Sequence, residues 1–398
     1  MVTLDDIYAA YLNARSNKRR SDDCIEFEIH LERNIVRLCD AINCKTFEPT
    51  AYTFVTSRPK PREVFAADFA TRVVHHYIDM RLRPLIEDGL TSRTYNNRVG
   101  YGSVECINTF ISDIYEVTEG YTRQAWIFSA DLSGYFPNAS QHRAYDQLTD
   151  LINRRYLGDD KEDLLYMVER TIFSYPQLNC FRKSPIWMWE DIPNEKSLFR
   201  KPPGIGAAIG HLIWQNEMNY YLNDFDHFNV DVCHFHYVRF VDDMRWVTTN
   251  KEMMLAMFPV FRRMLADAGC HFNEHKFGCQ DSLKGNSFIG KYIKGRGVYA
   301  TPRTRRNFTH TIHQFNNCVR ASKIDTVLAS LNSYTGILKN IIGDRDIAAG
   351  IDILNPEWSG YIHFNRERKC FQANEGYRTV ERRNRRFDIK PHSNNGRL

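Results

Sequence analysis

The stretch His236-Tyr-Val-Arg-Phe-Val-Asp-Asp-Met-Arg-Trp-Val247 sets two adjacent aspartates, Asp242 and Asp243, inside strand-like sequence. Aromatic and β-branched residues lie on both sides, so residues 235–248 read as a hairpin with the acidic pair at its turn. A second stretch, Ala125-Trp-Ile-Phe-Ser-Ala-Asp-Leu-Ser-Gly-Tyr-Phe136, ends an apolar run at Asp131. Carboxylates bracketed by such sequence are costly to bury unless a cation neutralises them. Three that converge could hold two Mg²⁺ ions about 3.5–4 Å apart, with Mn²⁺ as a substitute, an arrangement suited to in-line displacement at phosphorus. Asp131, Asp242 and Asp243 are therefore the candidate metal ligands and catalytic residues. Taken singly they have plainer readings, because Asp pairs are common in turns and Asp131 could cap a helix.

Outward from these stretches the pattern alternates between helix and strand. Residues 5–45 read mostly as helix, 46–68 as extended, and Phe69 to Ile86 as helix with a kink or boundary at Pro84. A polar loop from Thr94 to Gly102 precedes a helix from Val104 to Val117, and Trp126–Ala130 suits a buried strand. Residues 141–175 look helical, and 176–204 form a long connection rich in Pro and Trp. His211 to Asp226 reads as one helix and 251–269 as an amphipathic one. Two short strands are expected around Gly290 and Gly295-Arg-Gly297, then a helical bundle over 305–353. Helices mixed with an antiparallel hairpin argue for an α+β fold, not a doubly wound parallel sheet.

Bulk properties narrow the function. A chain of 398 residues has room for two or three domains, and 43% hydrophobic with 25% charged residues is ordinary for a soluble protein. The net charge of +5 hints mildly at a polyanionic partner, and basic residues crowd 14–20, 58–62, 302–306 and the tail. Ten cysteines without a Cys-x-x-Cys pair read as reduced thiols in a cytoplasmic protein. The groups Cys233, His234, His236 and Cys270, His271, His275 lack zinc-ligand spacing. No apolar signal region opens the chain and no run approaches the roughly 20 apolar residues of a membrane span, so no membrane partner is expected. The absence of Gly-x-Gly-x-x-Gly and Walker loops removes the common nucleotide-binding folds.

The acidic stretches have ordered companions. Pro59-Lys-Pro-Arg-Glu-Val64, Arg72-Val-Val-His-His76 and Ser92-Arg-Thr-Tyr-Asn-Asn-Arg-Val-Gly-Tyr-Gly102 precede them. Asn273-Glu-His-Lys276, Ser287-Phe-Ile-Gly290 and Ser333-Tyr-Thr-Gly-Ile-Leu-Lys339 follow. In this order the set resembles the prokaryotic reverse transcriptases of the group II intron, retron and diversity-generating-retroelement class, from the N-terminus to about residue 345. The resemblance implies a right-hand polymerase: fingers over 1–120 with part of 140–200, palm over 121–299, helical thumb over 300–351, and a basic tail over 352–398.

It also implies roles for single residues. The three aspartates would bind the metals, and Lys276 would protonate leaving pyrophosphate, although a surface lysine explains it nearly as well. Arg62 and Arg72 would donate to the dNTP triphosphate, since a guanidinium pairs phosphate oxygens bidentately. Leu132 and Phe136 would line the nucleotide site, with the Phe136 ring excluding a ribose 2′-hydroxyl; without the resemblance Phe136 is an ordinary core residue. Phe288, Ile289 and Gly290 would form the primer grip, with Gly290 allowing a close backbone approach.

The segment Gly204-Ile-Gly-Ala-Ala-Ile-Gly-His-Leu-Ile-Trp-Gln215 would lie under the templating base. Diversity-generating enzymes carry Leu-Pro-Ile-Gly-x-x-x-Ser-Gln there; this chain keeps Ile209, Gly210 and Gln215 but has Ala207-Ala208 and Trp214. The departure favours an unknown-group enzyme that makes cDNA from a partner noncoding RNA in antiphage defence. The alternatives are a mutagenic diversity-generating enzyme and an inactive, RNA-binding polymerase scaffold. Expected partners are the RNA template, the DNA product and dNTPs, with an accessory protein or a second copy of the chain left open. Aromatics among the basic residues of 352–398 (Tyr361, Phe364, Phe371, Tyr377, Phe387) could stack bases, or the segment could be a solvated tail.

Overall fold

Capping and periodicity give the first elements. Thr3 opens α1 (Leu4–Arg15) through a reciprocal capping box with Asp6, and α2 (Asp22–Ile29) and α3 (Leu31–Asn43) follow. The computed structural model describes all residues except 17, 20, 57–59, 340, 342–344 and 378–398. The chain folds as two compact units, Met1–Asp281 and Ser282–Leu398.

In the first unit, β1 (Ala51–Thr56) and β2 (Arg62–Ala67) form an antiparallel hairpin. Asp68 then caps α4 (Phe69–Gly89) by accepting from the Thr71 amide at 2.7 Å. Pro84 does not end this helix. The carbonyl it leaves without an intrahelical partner belongs to Met80, a surface residue that water can reach. β3 (Thr94–Tyr95), α5 (Ser103–Val117), β4 (Trp126–Asp131), the short α6 (Tyr135–Asn138), α7 (Gln141–Arg155) and α8 (Lys161–Ile172) come next. The long connection contains β5 (Cys180–Arg182), which adds parallel to β1, and 3₁₀ turns at Ile186–Trp189, Asn194–Lys196 and Leu198–Arg200. It is tied down where the buried Glu63 carboxylate accepts from the Leu198 amide at 2.7 Å.

The single helix expected over 211–226 is two, α9 (Leu212–Tyr220) and α10 (Asn223–His227), followed by a π turn at Phe228–Val232. Long-range bonds override local propensity here. The Tyr221 hydroxyl accepts from the Ser140 amide (3.0 Å) and donates to the Ala268 carbonyl (2.8 Å), while the Asn223 amide donates to Gly89 (3.0 Å).

β6 (His236–Phe240), β7 (Asp243–Thr248), α11 (Lys251–Asp267) and β8 (Gly278–Asp281) complete the unit. The central sheet runs β3-β6-β7-β4-β8, antiparallel except for the β3–β6 pair. Both faces are covered. Phe128, Tyr237 and Trp246 lean on one side, where Phe258 and Phe261 of α11 pack at ring separations of 5.6 Å from Phe128 and Trp246. On the other side α5 packs against β6 and β7. The architecture is α+β, as the sequence pattern requires.

In the second unit, β9 (Asn286–Phe288), β10 (Lys291–Lys294) and β11 (Gly297–Ala300) form a meander of three strands where two were expected. Gly295 at φ +55° lets the chain fold back on itself a second time. α12 (Pro302–Asn316), α13 (Ile324–Leu338), α14 (Arg345–Ile353) and the hairpin β12 (Ile362–Asn365) with β13 (Cys370–Ala373) follow. Residues 352–377 are therefore not a solvated tail. Trp358 and Phe371 are buried with Phe308, Val327 and Leu331, and Tyr361, Phe364 and Tyr377 pack against that core. Asn332 fastens the hairpin, donating to the Phe371 carbonyl (2.9 Å) and accepting from its amide (2.7 Å). Phe387 and its basic neighbours lie outside the described residues.

Candidate active site

β4 and β7 pair so that Asp131 stands directly opposite Asp243, and both side chains share one face of the sheet. Like charges at directly opposed positions destabilise a sheet, so such a pair points to a cation-binding purpose. β6 and β7 close through a two-residue loop, Val241–Asp242, between the paired residues Phe240 and Asp243. The Leu132 amide donates to the Asp242 carbonyl at 3.1 Å and joins the loop to the end of β4. The expected hairpin, with the acidic pair at its turn, is what forms.

The segment after α11 is sutured to the same strand end. Ser133 donates its amide to the His271 carbonyl (2.8 Å) and Asn273 donates to the Asp131 carbonyl (2.7 Å). This brings in a 3₁₀ turn, Glu274–Lys276, and Lys276 Nζ donates to Asp131 Oδ2 at 2.6 Å. Arg245 Nη1 donates to Asp243 Oδ1 at 2.7 Å. Burial, then the neighbouring Asp131 and Asp243 charges, push the Asp242 carboxyl up to about 6, with Lys276 opposing. Burial also raises Asp243, against the pull of Arg245.

The donor chemistry of the three aspartates suits divalent cations, while their oxygens do not all lie within 4.8 Å of one another. They are hard oxygen donors at one strand end, Asp131 and Asp243 are directly opposed, and burial first, then the neighbouring carboxylates, raises the Asp242 pKa. A different trio, Asp113, Glu116 and His236, is the one three-ligand group among the described residues whose atoms all lie within 4.8 Å of one another. Arg93 Nη1 already donates to both Asp113 oxygens (2.8 and 2.9 Å), and His236 Nδ1 lies 3.2 Å from Asp113, which raises the His236 pKa. In that cluster Asp113 is buried, His236 half-buried and Glu116 exposed, and the Asp113–His236 contact links α5 to β6. The cysteine–histidine groups around Cys233 and Cys270 form no three-ligand cluster among the described residues.

A second set of expected residues gathers around the loop before α9. Ala207 donates its amide to the Phe136 carbonyl (2.8 Å), and Phe65 donates to the Ile209 carbonyl (2.7 Å), so residues 207–210 bridge α6 and β2. Gly210 sits at φ +111°, and a Cβ there would lie 2.7 Å from the Phe65 carbonyl oxygen; any side chain would part the two segments. Phe136 is half-buried against the core and Arg62 is exposed on β2. Arg72 is half-buried on α4, close to His211 at the start of α9. The His75 and His211 rings lie 4.9 Å apart, and burial lowers the pKa of both, that of His211 to about 4.

Trp214 is a core side chain at 1% exposure, so packing accounts for its size. Gln215 is half-buried, and its carbonyl accepts from Asn97 at 3.0 Å. Phe288, Ile289 and Gly290 belong to the second unit, where Ile289 and Gly290 form the β9–β10 loop at φ +49° and +71°. Nothing lies within 4 Å of a Cβ built on Gly290, so its backbone angle, not a close approach, is what calls for glycine.

Sequence reasoning missed Arg239 and Asp226, which form a fully buried ion pair beneath the acidic loop. The available signal was an arginine in the middle of an apolar strand, where a charge needs a partner. It also missed the strain in the loop, since Val241 adopts φ +60°. For a β-branched residue this region costs about 1–3 kcal/mol.

No family model matches the chain, and no curated protein matches it. Solved structures do. A telomerase from Candida albicans in complex with a TWJ fragment of telomeric RNA matches at 11% identity and a TM-score of 0.46, over 77% of this chain and 55% of that one. The apo telomerase of Candida tropicalis matches at 12% identity and a TM-score of 0.44, over 76% and 58% respectively. The chain thus spans little more than half the length of these telomerase chains.

Proposed function

We propose that the chain is an RNA-directed DNA polymerase that transfers deoxynucleotides to a 3′-hydroxyl at Asp131, Asp242 and Asp243. The observation that carries this reading is the register of β4 against β7, which opposes Asp131 and Asp243 with Asp242 in the adjoining loop. In the right-hand scheme, the β1–β2 hairpin with α1–α4 serves as fingers, the five-stranded sheet as palm and α12–α14 as thumb.

When bound, two Mg²⁺ ions would activate the attacking oxygen and stabilise the triphosphate charge. The chain's own residues hold and orient the reactants. Asp131, Asp242 and Asp243 would hold the ions in their ionised forms. Arg62 and Arg72 offer planar donor forks to phosphate oxygens. Lys276 donates to Asp131 at 2.6 Å and would be within reach of the departing pyrophosphate. Phe136 sits two residues beyond the Gly134 turn, and its ring blocks a 2′-hydroxyl.

Template-directed incorporation of labelled dNTPs on a primed RNA by the purified full chain tests the proposal. Synthesis that needs Mg²⁺ or Mn²⁺ and stops in Asp242→Asn supports it. Synthesis that persists when both Asp242 and Asp243 are replaced by Asn refutes it. We place the enzyme in antiphage defence, copying a partner noncoding RNA; the support is the departure at Ala207-Ala208 from the diversity-generating pattern. Accurate copying opposite template adenine is expected, and systematic misincorporation there would favour the mutagenic role.

A further inference from the structure

Arg239 and Asp226 are both at 0% side-chain exposure. A buried ion pair stabilises a fold weakly compared with apolar residues of the same volume, so its retention calls for another reason. The hydrogen bonds supply one. Arg239 Nε donates to Asp226 Oδ1 (2.9 Å) and Oδ2 (3.1 Å), and Nη2 donates to Asp226 and to the Asn219 carbonyl (2.7 Å). Asp226 also accepts from the Tyr237 hydroxyl (2.9 Å) and the Thr94 hydroxyl (2.7 Å). These contacts leave the guanidinium no freedom to rotate. Its remaining nitrogen, Nη1, donates to the Val241 carbonyl at 3.0 Å.

Val241 is the first residue of the two-residue loop and is left-handed at φ +60°, while Asp242 is not among the left-handed residues. That is the backbone pattern of a II′ hairpin turn, whose first position favours glycine. Valine reaches it only under restraint. The carbonyls of Val241 and Asp242 are gripped from two sides, by Arg239 and by the Leu132 amide. Fixing both peptide planes fixes the direction in which the Asp242 side chain leaves the backbone.

We propose that Arg239 is a positioning residue: it holds the Val241–Asp242 turn in its left-handed form through the Val241 carbonyl, with Asp226, Tyr237 and Thr94 holding Arg239. This rests on the polymerase reading for its link to turnover, but the restraint on the turn stands on geometry alone.

Four full-length proteins test it: wild type, Arg239→Lys, Val241→Gly and the double variant. Lysine keeps the charge against Asp226 but has no planar fork to reach Val241 at the same time. Glycine adopts φ +60° without restraint. Arg239→Lys should lower kcat roughly 10- to 100-fold with little change in KM for dNTP, the size of effect that a small misplacement of a reacting group produces. Val241→Gly should stay near wild type, and the double variant should recover most of the loss. A double variant no better than Arg239→Lys, or an Arg239→Lys enzyme with wild-type kcat, overturns the proposal. Should Arg239→Lys fail to fold by circular dichroism, Asp226→Asn takes its place in the same comparison with the same reading. Mn²⁺ affinity measured by electron paramagnetic resonance gives a second readout and should weaken and recover in the same order. If wild type binds Mn²⁺ in that pattern yet incorporates nothing, the polymerase reading falls and the positioning role stands. If wild type neither binds Mn²⁺ nor incorporates dNTPs, both fall.

Discussion

The β6–β7 and β9–β10 hairpins each close on a two-residue loop whose first residue is β-branched and left-handed, Val241 in one and Ile289 in the other. Their second residues differ. Gly290 continues at φ +71°, giving the I′ pattern, in which glycine removes the strain at that position. In the acidic hairpin the second residue, Asp242, is not left-handed, so the strain sits at Val241 and no glycine relieves it. Restraint comes from outside instead, through a buried guanidinium and the amide of a neighbouring strand. The β9–β10 loop meets a single long bond from the Thr304 hydroxyl to the Gly290 carbonyl (3.4 Å) and has glycine at its second position, whereas the acidic loop has no glycine and is held from two sides.

Removing the carboxylates should break the contrast most completely. Asp131→Asn and Asp242→Asn should each take dNTP incorporation below detection while leaving RNA retention on a filter largely unchanged. Equal loss of RNA retention would mean that the substitutions damage the fold instead.

Acidity should act on one hairpin and not on the other. The folded Asp242 carboxyl titrates near 6 against 3.8 for a free one, so the folded state binds its proton more tightly than the unfolded chain does. Stability from this group is present below about pH 4 and is lost as pH rises through about 6, provided divalent ions are excluded. Mn²⁺ binding, which needs the ionised form, should strengthen over the same rise. Thermal unfolding in chelator across pH 4–7 checks the first statement by difference: wild type should lose stability relative to Asp242→Asn as pH rises, since Glu217, Asp243 and the buried histidines contribute their own slopes to both proteins. Identical slopes in the two proteins would remove Asp242 as a contributor.

Smaller effects should separate the loops by sign. Gly290→Ala forces a side chain into the left-handed region and should destabilise the second unit by about 1–2 kcal/mol in urea unfolding. Val241→Gly relieves such strain and should show no comparable loss. Least of all on dNTP turnover, Phe136→Ala should leave the rate near wild type while increasing rNTP use. Unchanged sugar selectivity would end its role as a gate.

Much of this was legible in the chain. The strand character of residues 126–131 and 236–248 follows from local apolar and β-branched runs, and the turn at Asp242 from the acidic break within one. The single helix expected over 211–226 failed because Tyr221 and Asn223 answer to Ser140, Ala268 and Gly89, partners that helical periodicity does not reveal. The segment 352–377 misled for a similar reason. Aromatics between basic residues look alike whether they face nucleic acid or a core, and only the Asn332 clamp on Phe371 and the burial of Trp358 decide it.

By itself the sequence determined the order of the acidic stretches, the α+β mixture and the placing of Asp131 and Asp243 at strand ends, because each is written in short-range pattern. Tertiary structure decided the rest: that Asp131 faces Asp243, that Lys276 reaches Asp131 from 145 residues away, and that Arg239 finds Asp226 and grips the turn. Strand register and buried charge pairing depend on which distant backbone groups bond to one another. Local propensity carries no term for that choice.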